Sequence, residues 1–413
     1  MAAPKLRFKE FDRDWTTQSL GNVTDITKLA GYEFTKHINY QDSGEIIALR
    51  GLNVKGNNLV LEDVKYIDNS DLSMLSRSKL YIDDLLFTYV GTIGEVALIP
   101  ENDKFYLAPN VCRIRRVNKN ILSKYLMFLF SNDNFKKNQI DKYTTKSSQP
   151  ALSMENIRKF EIVFPSVEEQ TKIASFLSNV DEKISQLTQK HALLSQYKQG
   201  MMQKLFSQQI RFKADDGSDF GEWEEKLIKD IADVKGGKRI PKGYPLVNEN
   251  TGHPYITVSD MNRSYSIDST NIRYVPLEVV DTIKRYTITD KDIFISVAGT
   301  LGIIGKIPTE FNGANLTENA DKLTNLKCHQ DFLIYLLDSG YLSELIESTA
   351  TTSAQPKLAL YAIEQLEVQI PCPEEQTKIA NFLSAIDQKI EVVAQQIEQA
   401  KTWKKGLLQQ MFV

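Results

Sequence analysis

The heptapeptide Glu168-Glu169-Gln170-Thr171-Lys172-Ile173-Ala174 returns letter for letter as Glu374-Glu375-Gln376-Thr377-Lys378-Ile379-Ala380, half a chain-length later. A chain of 413 residues that repeats itself at this spacing points to a pseudo-twofold fold with two similar working surfaces. The match runs on. Glu168–Ile184 and Glu374–Ile390 agree at all but four positions. Upstream, Gln149-Pro150 answers Gln355-Pro356, and Pro165 answers Pro371. Downstream, Tyr197-Lys198-Gln199-Gly200 answers Trp403-Lys404-Lys405-Gly406.

Each repeat opens a helix. Apolar positions Ile173, Leu177, Val180, Ile184, Leu187 and Leu194 step by four and three, as do Ile379, Leu383, Ile386, Ile390, Val393 and Ile397. With His191 and Lys198 filling seam positions in the first copy, the pattern holds for about five heptads, the signature of a coiled coil. At 1.5 Å per residue each helix spans about 50–60 Å. Pro165 and Pro371 mark where the helices begin, with Ser166 as a fair N-cap. Two matched seams in one chain favour pairing with each other, and antiparallel pairing is the more useful arrangement. His191 and Lys198 read as polar positions that fix register or lie near a helix end.

Two stretches of similar size flank these helices. Both contain short β-rich runs broken by Gly, Asn, Asp and Pro, such as Glu45–Leu49, Leu85–Val90, Tyr255–Val258 and Ile293–Val297. Each closes on one amphipathic helix, around Ser123–Phe130 and Gln330–Leu337. The expected class is α+β: two β-rich heads joined by two long helices pairing as an antiparallel coiled coil, with an internal pseudo-twofold repeat. Residues 1–19, 161–224 and 367–413 form the common frame, and 20–160 and 225–366 the heads. Landmarks recur even between the unlike heads. Gly91-Thr92-Ile93-Gly94 and Gly299-Thr300-Leu301-Gly302 each follow a strand, and Arg7-Phe8-Lys9 with Trp15 answers Arg211-Phe212-Lys213 with Trp223. The chain therefore reads as a circle cut at one point.

Signals for catalysis are missing from this sequence. It has no Walker-type phosphate loop, no His-Glu-x-x-His and no Gly-x-Ser-x-Gly elbow. The Gly299–Gly305 stretch has the wrong spacing for a dinucleotide fingerprint and reads as a strand-to-strand turn. Cys328-His329 lacks companions at ligand spacing. Three scattered cysteines fit a reducing compartment, no run is long enough to span a membrane, and Met1–Asp14 has no apolar core for a secretory signal. A cytoplasmic location is the expectation. The net charge of −3 counts mildly against a dedicated nucleic-acid binder, yet leaves room for a local basic groove.

Both heads carry polar and basic loops. The first offers Arg50, Asn53, Lys55, Arg77, Lys79, Lys142, Tyr143, Thr145, Lys146, Ser148 and Gln149. The second offers Lys238, Arg239, Lys242, Asn262, Arg263, Tyr265, Thr351, Thr352, Ser353, Gln355 and Lys357. Arg, Lys, Asn and Gln suit base edges, while Lys, Ser, Thr and Tyr suit phosphates. Any one of them could equally be a solvated loop residue. The stretches before Gln149-Pro150 and Gln355-Pro356 recur at one place in both copies, which favours function there.

Together, the doubled Glu-Glu-Gln-Thr-Lys-Ile-Ala blocks, their heptads, the Gln-Pro pairs and the Gly-Thr-Ile/Leu-Gly turns resemble the specificity (S) subunit of type I restriction–modification systems. The resemblance covers essentially the whole chain. It implies a non-catalytic reader of double-stranded DNA, with each head a target recognition domain for one half of a split sequence. The helix pair would hold the heads about 34 Å apart, one turn of DNA. It also implies docking of two methyltransferase (M) subunits and of restriction/translocase (R) subunits. The chain itself would bind no cofactor or metal; S-adenosylmethionine, ATP and Mg²⁺ would belong to the partners. Three other readings stay open on the residues alone: a DNA-binding scaffold unrelated to methylation, a coiled-coil adaptor for proteins, and an enzyme whose site has no recognisable motif.

Overall fold

The computed structural model describes residues 4–145, 148, 150–350 and 357–413, with the backbone alone at 349 and 350. The chain divides into two compact units, Met1–Thr188 with Gln395–Val413, and Gln189–Ala394. Four helices organise them: α1 (Ser123–Ser131), α2 (Val167–Phe206), α3 (Gln330–Leu336) and α4 (Pro373–Met411). The long helices α2 and α4 hold 40 and 39 residues, about 60 Å each at the α-helical rise. Ser166 accepts from Glu169 N–H at 3.4 Å, and Pro373 fills the first turn of α4, where its missing N–H costs nothing.

In the first unit, a central antiparallel sheet runs in the order Thr24–Lys28, Val111–Arg116, Leu85–Thr88, Val96–Leu98. The second unit repeats that order with Asp233–Gly236, Ala320–Thr324, Ile293–Ser296 and Ile304–Gly305. A two-stranded ribbon ties each head to its frame: Thr16–Ser19 with Glu161–Phe164, and Glu224–Leu227 with Glu367–Ile370. The outer sheets differ. The first unit has three strands, Lys65–Tyr66, Ile47–Leu49 and Phe105–Leu107; the second has four, Arg273–Tyr274, Pro254–Ile256, Ala314–Leu316 and Thr287–Ile288. Both contain a parallel pair.

The main core of each unit lies where helix, sheet and frame meet. In the first, Ile173, Leu177 and Val180 of α2 are buried with Leu407, Leu408 and Met411 of α4 and with Tyr125 and Phe128 of α1. In the second, Ile379, Leu383 and Ile386 of α4 are buried with Met202 and Leu205 of α2 and with Phe332 and Tyr335 of α3. In each unit the start of one long helix thus packs on the end of the other, as in an antiparallel pair. Leu187, Val393 and Ile397 are also buried, while Ile184, Ile390 and Leu194 are half-buried. The seam's polar member Lys198 is ion-paired with Asp387 at 2.6 Å, and its counterpart Lys404 with Asp181 at 2.5 Å.

The repeated Glu-Gln has a structural cause. Glu169 is bound by Arg7, and Glu375 by Arg211. Phe8 stands edge-on to Phe176, and Phe212 likewise to Phe382. Gln170 accepts the backbone N–H of Leu122 at 2.9 Å and donates to the carbonyls of Pro165 and Asn120. Gln376 accepts the backbone N–H of His329 at 2.8 Å and donates to the Pro371 carbonyl. In both units one glutamine therefore couples the start of a frame helix to the start of a head helix.

Candidate nucleic-acid interface

Both heads place a glycine turn beside the chain that returns to the frame. Gly91 and Gly94 have φ of 80° and 91°, and Gly299 and Gly302 have 78° and 75°. These are left-handed conformations that a side chain would strain. In the first unit Leu152 N–H donates to the Tyr89 carbonyl, and in the second Leu358 N–H donates to the Val297 carbonyl. Leu152 and Leu358, which follow the candidate stretches, are thereby tied to the strand ends that lead into the glycine turns.

In the first unit Thr145 closes its loop on Ala151: its backbone N–H donates to the Ala151 carbonyl at 3.1 Å, and its hydroxyl accepts the Ala151 N–H at 3.0 Å. Ser148 is exposed between them; Lys146 and Gln149 lie outside the described residues. Lys142 is exposed over the ring of Tyr143, which itself packs on Phe160. On the other side of the turn a groove of about 490 Å³ is lined by Phe34, Tyr40, Arg50, Leu52, Thr92 and Asn110, among others. Arg50 donates through Nη2 to Asp63 at 2.8 Å, which leaves its buried Nε without a partner. Burial raises the Tyr40 phenol above its usual range against the opposing pull of Arg50. Asn53 is fully buried, and its amide donates to the carbonyls of Val60 and Asp63. It shapes the loop behind Arg50. Lys55 is exposed on the short strand Val54–Lys55. Arg77 is exposed, and its carbonyl receives Arg113; Lys79 is paired with Asp103.

In the second unit Lys238 and Arg239 follow a glycine that no other residue could replace. A Cβ at Gly237 would lie 2.0 Å from the Thr317 carbonyl oxygen. Lys238 is exposed, with its ammonium over Tyr286, Arg239 pairs with Glu318, and Lys242 is exposed. Asn262 organises a hairpin by accepting from the backbone of Ser264 and Ser266 at 3.1 Å each, leaving Arg263 exposed at its tip. Tyr265 turns its hydroxyl to Asp338 and Lys198. Thr351, Thr352, Ser353 and Gln355 lie outside the described residues. Lys357 is exposed. Its charge opposes the burial that pushes the Asp321 carboxyl up to about 6.

Sequence reasoning missed Tyr40 and Asn110 and took Thr92 only as part of a turn landmark, because their grouping depends on tertiary contacts. It also missed a cationic cleft of about 240 Å³ in the first unit, lined by Lys136, Lys401, Lys404 and Lys405 beside Gly56 and Gly94. The run Lys401 to Lys405 was its one visible sign. Among the described residues no cluster of His, Cys, Asp and Glu could hold a metal ion, and no helix is long and apolar enough to cross a membrane.

A family model described as the type I restriction modification DNA specificity domain matches residues 12–196 and again 221–402. A protein of Methanocaldococcus jannaschii, provisionally named type I restriction enzyme MjaX specificity subunit, is 26% identical over 98% of this chain and 94% of its own length. The type I restriction enzyme MjaVIII specificity subunit of the same organism is 25% identical over 79% of this chain and 77% of its own. The crystal structure of a type I restriction–modification S subunit from M. genitalium superposes with a TM-score of 0.62 at 18% identity, covering 100% of this chain and 99% of that one, and so shares the fold. With both halves of the chain matched by one model, the protein belongs to the type I restriction modification DNA specificity domain family and carries that domain twice.

Proposed function

We propose that this chain is the sequence-reading subunit of a type I restriction–modification complex and recognises a bipartite, asymmetric DNA target, one half-site per unit. The observation that carries the reading is a duplicated DNA specificity domain in which the frame and the central sheet are repeated and the outer sheets are not. Arg7–Glu169–Gln170 and Arg211–Glu375–Gln376 are interchangeable in geometry, whereas the outer sheets and the residues beside the glycine turns differ. Similar frames favour two copies of one partner; different heads favour two different half-sites.

The heads 20–160 and 225–366 are the target recognition domains of this reading. Arg50 and the groove beside Thr92, together with the 142–149 stretch, face one half-site. Lys238, Arg239, Lys242, the Asn262–Arg263 hairpin and the 351–357 stretch face the other. Arginine and asparagine read base edges, and lysine and threonine set register on phosphates. With a net charge of −3, the chain draws much of its phosphate neutralisation from its partners. Those partners are two methyltransferase subunits, which extrude and methylate adenines, and restriction/translocase subunits. S-adenosylmethionine, ATP and Mg²⁺ are theirs, and this chain supplies no catalytic group.

The test is a map of methylated adenines in the source genome with the gene present, deleted, and with residues 20–160 exchanged for another head. The expected result is a split motif with a fixed spacer that vanishes on deletion and changes in one half only on exchange. An unchanged methylome, with no methyltransferase copurifying, would leave a scaffold unrelated to methylation as the better reading.

A further inference from the structure

In the second unit one lysine gathers groups from four segments. The Lys198 ammonium in α2 lies 2.6 Å from Asp387 Oδ1 in α4 and donates to the Tyr265 hydroxyl at 3.0 Å. It also stands over the rings of Tyr265 and Tyr335, 4.3 and 5.0 Å from their centroids. Tyr335 donates its hydroxyl to Asp387 Oδ2 at 2.7 Å, and Tyr265 donates its own to Asp338 Oδ2 at 2.6 Å. The two rings meet edge to face at 5.3 Å. Each hydroxyl has an acceptor, and the cation has both a carboxylate and two π-faces.

Tyr265 belongs to the hairpin that carries Asn262 and Arg263, closed by Asn262 N–H donating to the Ser266 carbonyl. Its φ is 61°, a conformation that a bulky residue keeps only where its surroundings hold it. Its carbonyl accepts Lys306 N–H, and a Cβ on Gly305 would lie 2.4 Å from its carbonyl carbon. The hairpin is thus pressed on the central sheet and tied to the helix pair by the ring and hydroxyl of one residue.

The first unit keeps the ion pair and a ring under the cation but lacks the hydroxyls. Lys404 pairs with Asp181, but the ring beneath it is Phe128, which has no hydroxyl. At the place of Tyr265 stands Asn57, φ 67°, hydrogen-bonded to Ser131 at 2.7 Å. The lysine–aspartate pair is the common register pin; the tyrosine extension is peculiar to the second unit.

We propose that Lys198 and Tyr265 are positioning residues that set the Asn262–Ser266 hairpin, so that discrimination of the half-site read by the second unit, and of that half-site alone, depends on this contact with the helix pair. The inference rests on the DNA-reading function proposed above. It assigns Tyr265 to the frame and leaves Asn262 and Arg263 to face DNA.

The experiment uses the complex assembled with its methyltransferase subunits, acting on duplexes randomised at both half-sites. Tyr265→Phe keeps the ring and removes both hydroxyl bonds; Lys198→Met removes the cation. The expected result is about a tenfold loss of base discrimination at the second unit's half-site in Tyr265→Phe and Lys198→Met. The first half-site keeps its profile, and methyltransferase capture is unchanged. An unaltered profile in Tyr265→Phe, or equal loss at both half-sites, overturns the inference. If the wild-type complex shows no base preference at all, the DNA-reading function itself fails and takes the inference with it.

Discussion

Glu375 receives Nε and Nη2 of Arg211 on its two carboxylate oxygens, at 3.1 and 2.7 Å, and Glu169 receives the same fork from Arg7 at 2.7 and 2.8 Å. A two-pronged pair of this kind fixes orientation as well as charge. The carboxylates are buried, while the arginine side chains retain 18% and 24% exposure. Trp223 adds an indole N–H to Glu375 at 3.1 Å; the equivalent Trp15 N–H is buried without a partner.

This asymmetry of exposure sets the order of two mutational effects. Glu375→Ala frees an arginine that can swing into water. Arg211→Ala leaves a buried carboxylate with only an indole donor. Urea unfolding should show Arg211→Ala as the more damaging, at about 3 kcal/mol, and Glu375→Ala nearer about 1–2 kcal/mol. The reverse order would mean that the carboxylate reaches solvent.

The Asp321 carboxyl gives a pH dependence of known sign. Burial pushes it from 3.8 up to about 6, against the charge of Lys357. The folded state holds this proton more tightly than the unfolded chain. The stability it contributes is therefore full below about pH 4, falls as pH rises to 6, and stays low above. Asp321→Asn should gain on the wild type, between pH 4 and 7.5, on the order of 2–3 kcal/mol. Denaturation curves at the two pH values check this, and a pH-independent difference would exclude a raised carboxyl.

The thiols provide a probe of folding. Burial pushes Cys112 up to about 12 and Cys328 up to about 11, which suppresses the reactive thiolate. Iodoacetamide at pH 8 should leave both unmodified in the folded chain and label both in denaturant, as read by peptide mass spectrometry. Labelling of Cys112 under native conditions would reveal opening of the first unit's central sheet.

A cut elsewhere in the chain should be tolerated. Leu6 N–H donates to the Gln410 carbonyl at 2.8 Å, and at the matching place in the second unit Ile210 N–H donates to the Lys204 carbonyl at 3.3 Å. Linking the two ends and reopening at the exposed Asp215–Ser218 turn should give a chain with the parental circular dichroism and methyltransferase capture. A permutant that folds no better than its separated halves would refute the ring-like organisation.

The frame was legible because its signals are periodic and doubled. The heptads over Ile173–Leu194 and Ile379–Ile397 gave both long helices, and the repeated Gly-Thr turns fell where φ is positive. The outer sheets were legible only in part: the runs Glu45–Leu49 and Tyr255–Val258 overlap the strands Ile47–Leu49 and Pro254–Ile256, while their partners left no signal. Strands such as Lys65–Tyr66 and Thr287–Ile288 are two residues long, too short to display a period, and Ile47–Leu49 pairs with Phe105–Leu107 only after the chain has run through two strands of the central sheet. Polarity alone selected the loop residues, so buried Asn53 and frame-bound Tyr265 were grouped with exposed Arg77 and Arg263. Burial and partners, which separate them, depend on tertiary contacts.

Gln170 and Gln376 grip their head helices through main-chain atoms, the N–H groups of Leu122 and His329. A socket that holds only backbone is indifferent to the side chains of what it holds. Leucine in one head and histidine in the other already sit in it. Heads of quite different sequence can therefore be exchanged or diverge without retooling the helices, and a lineage can change what it reads while keeping everything it assembles with.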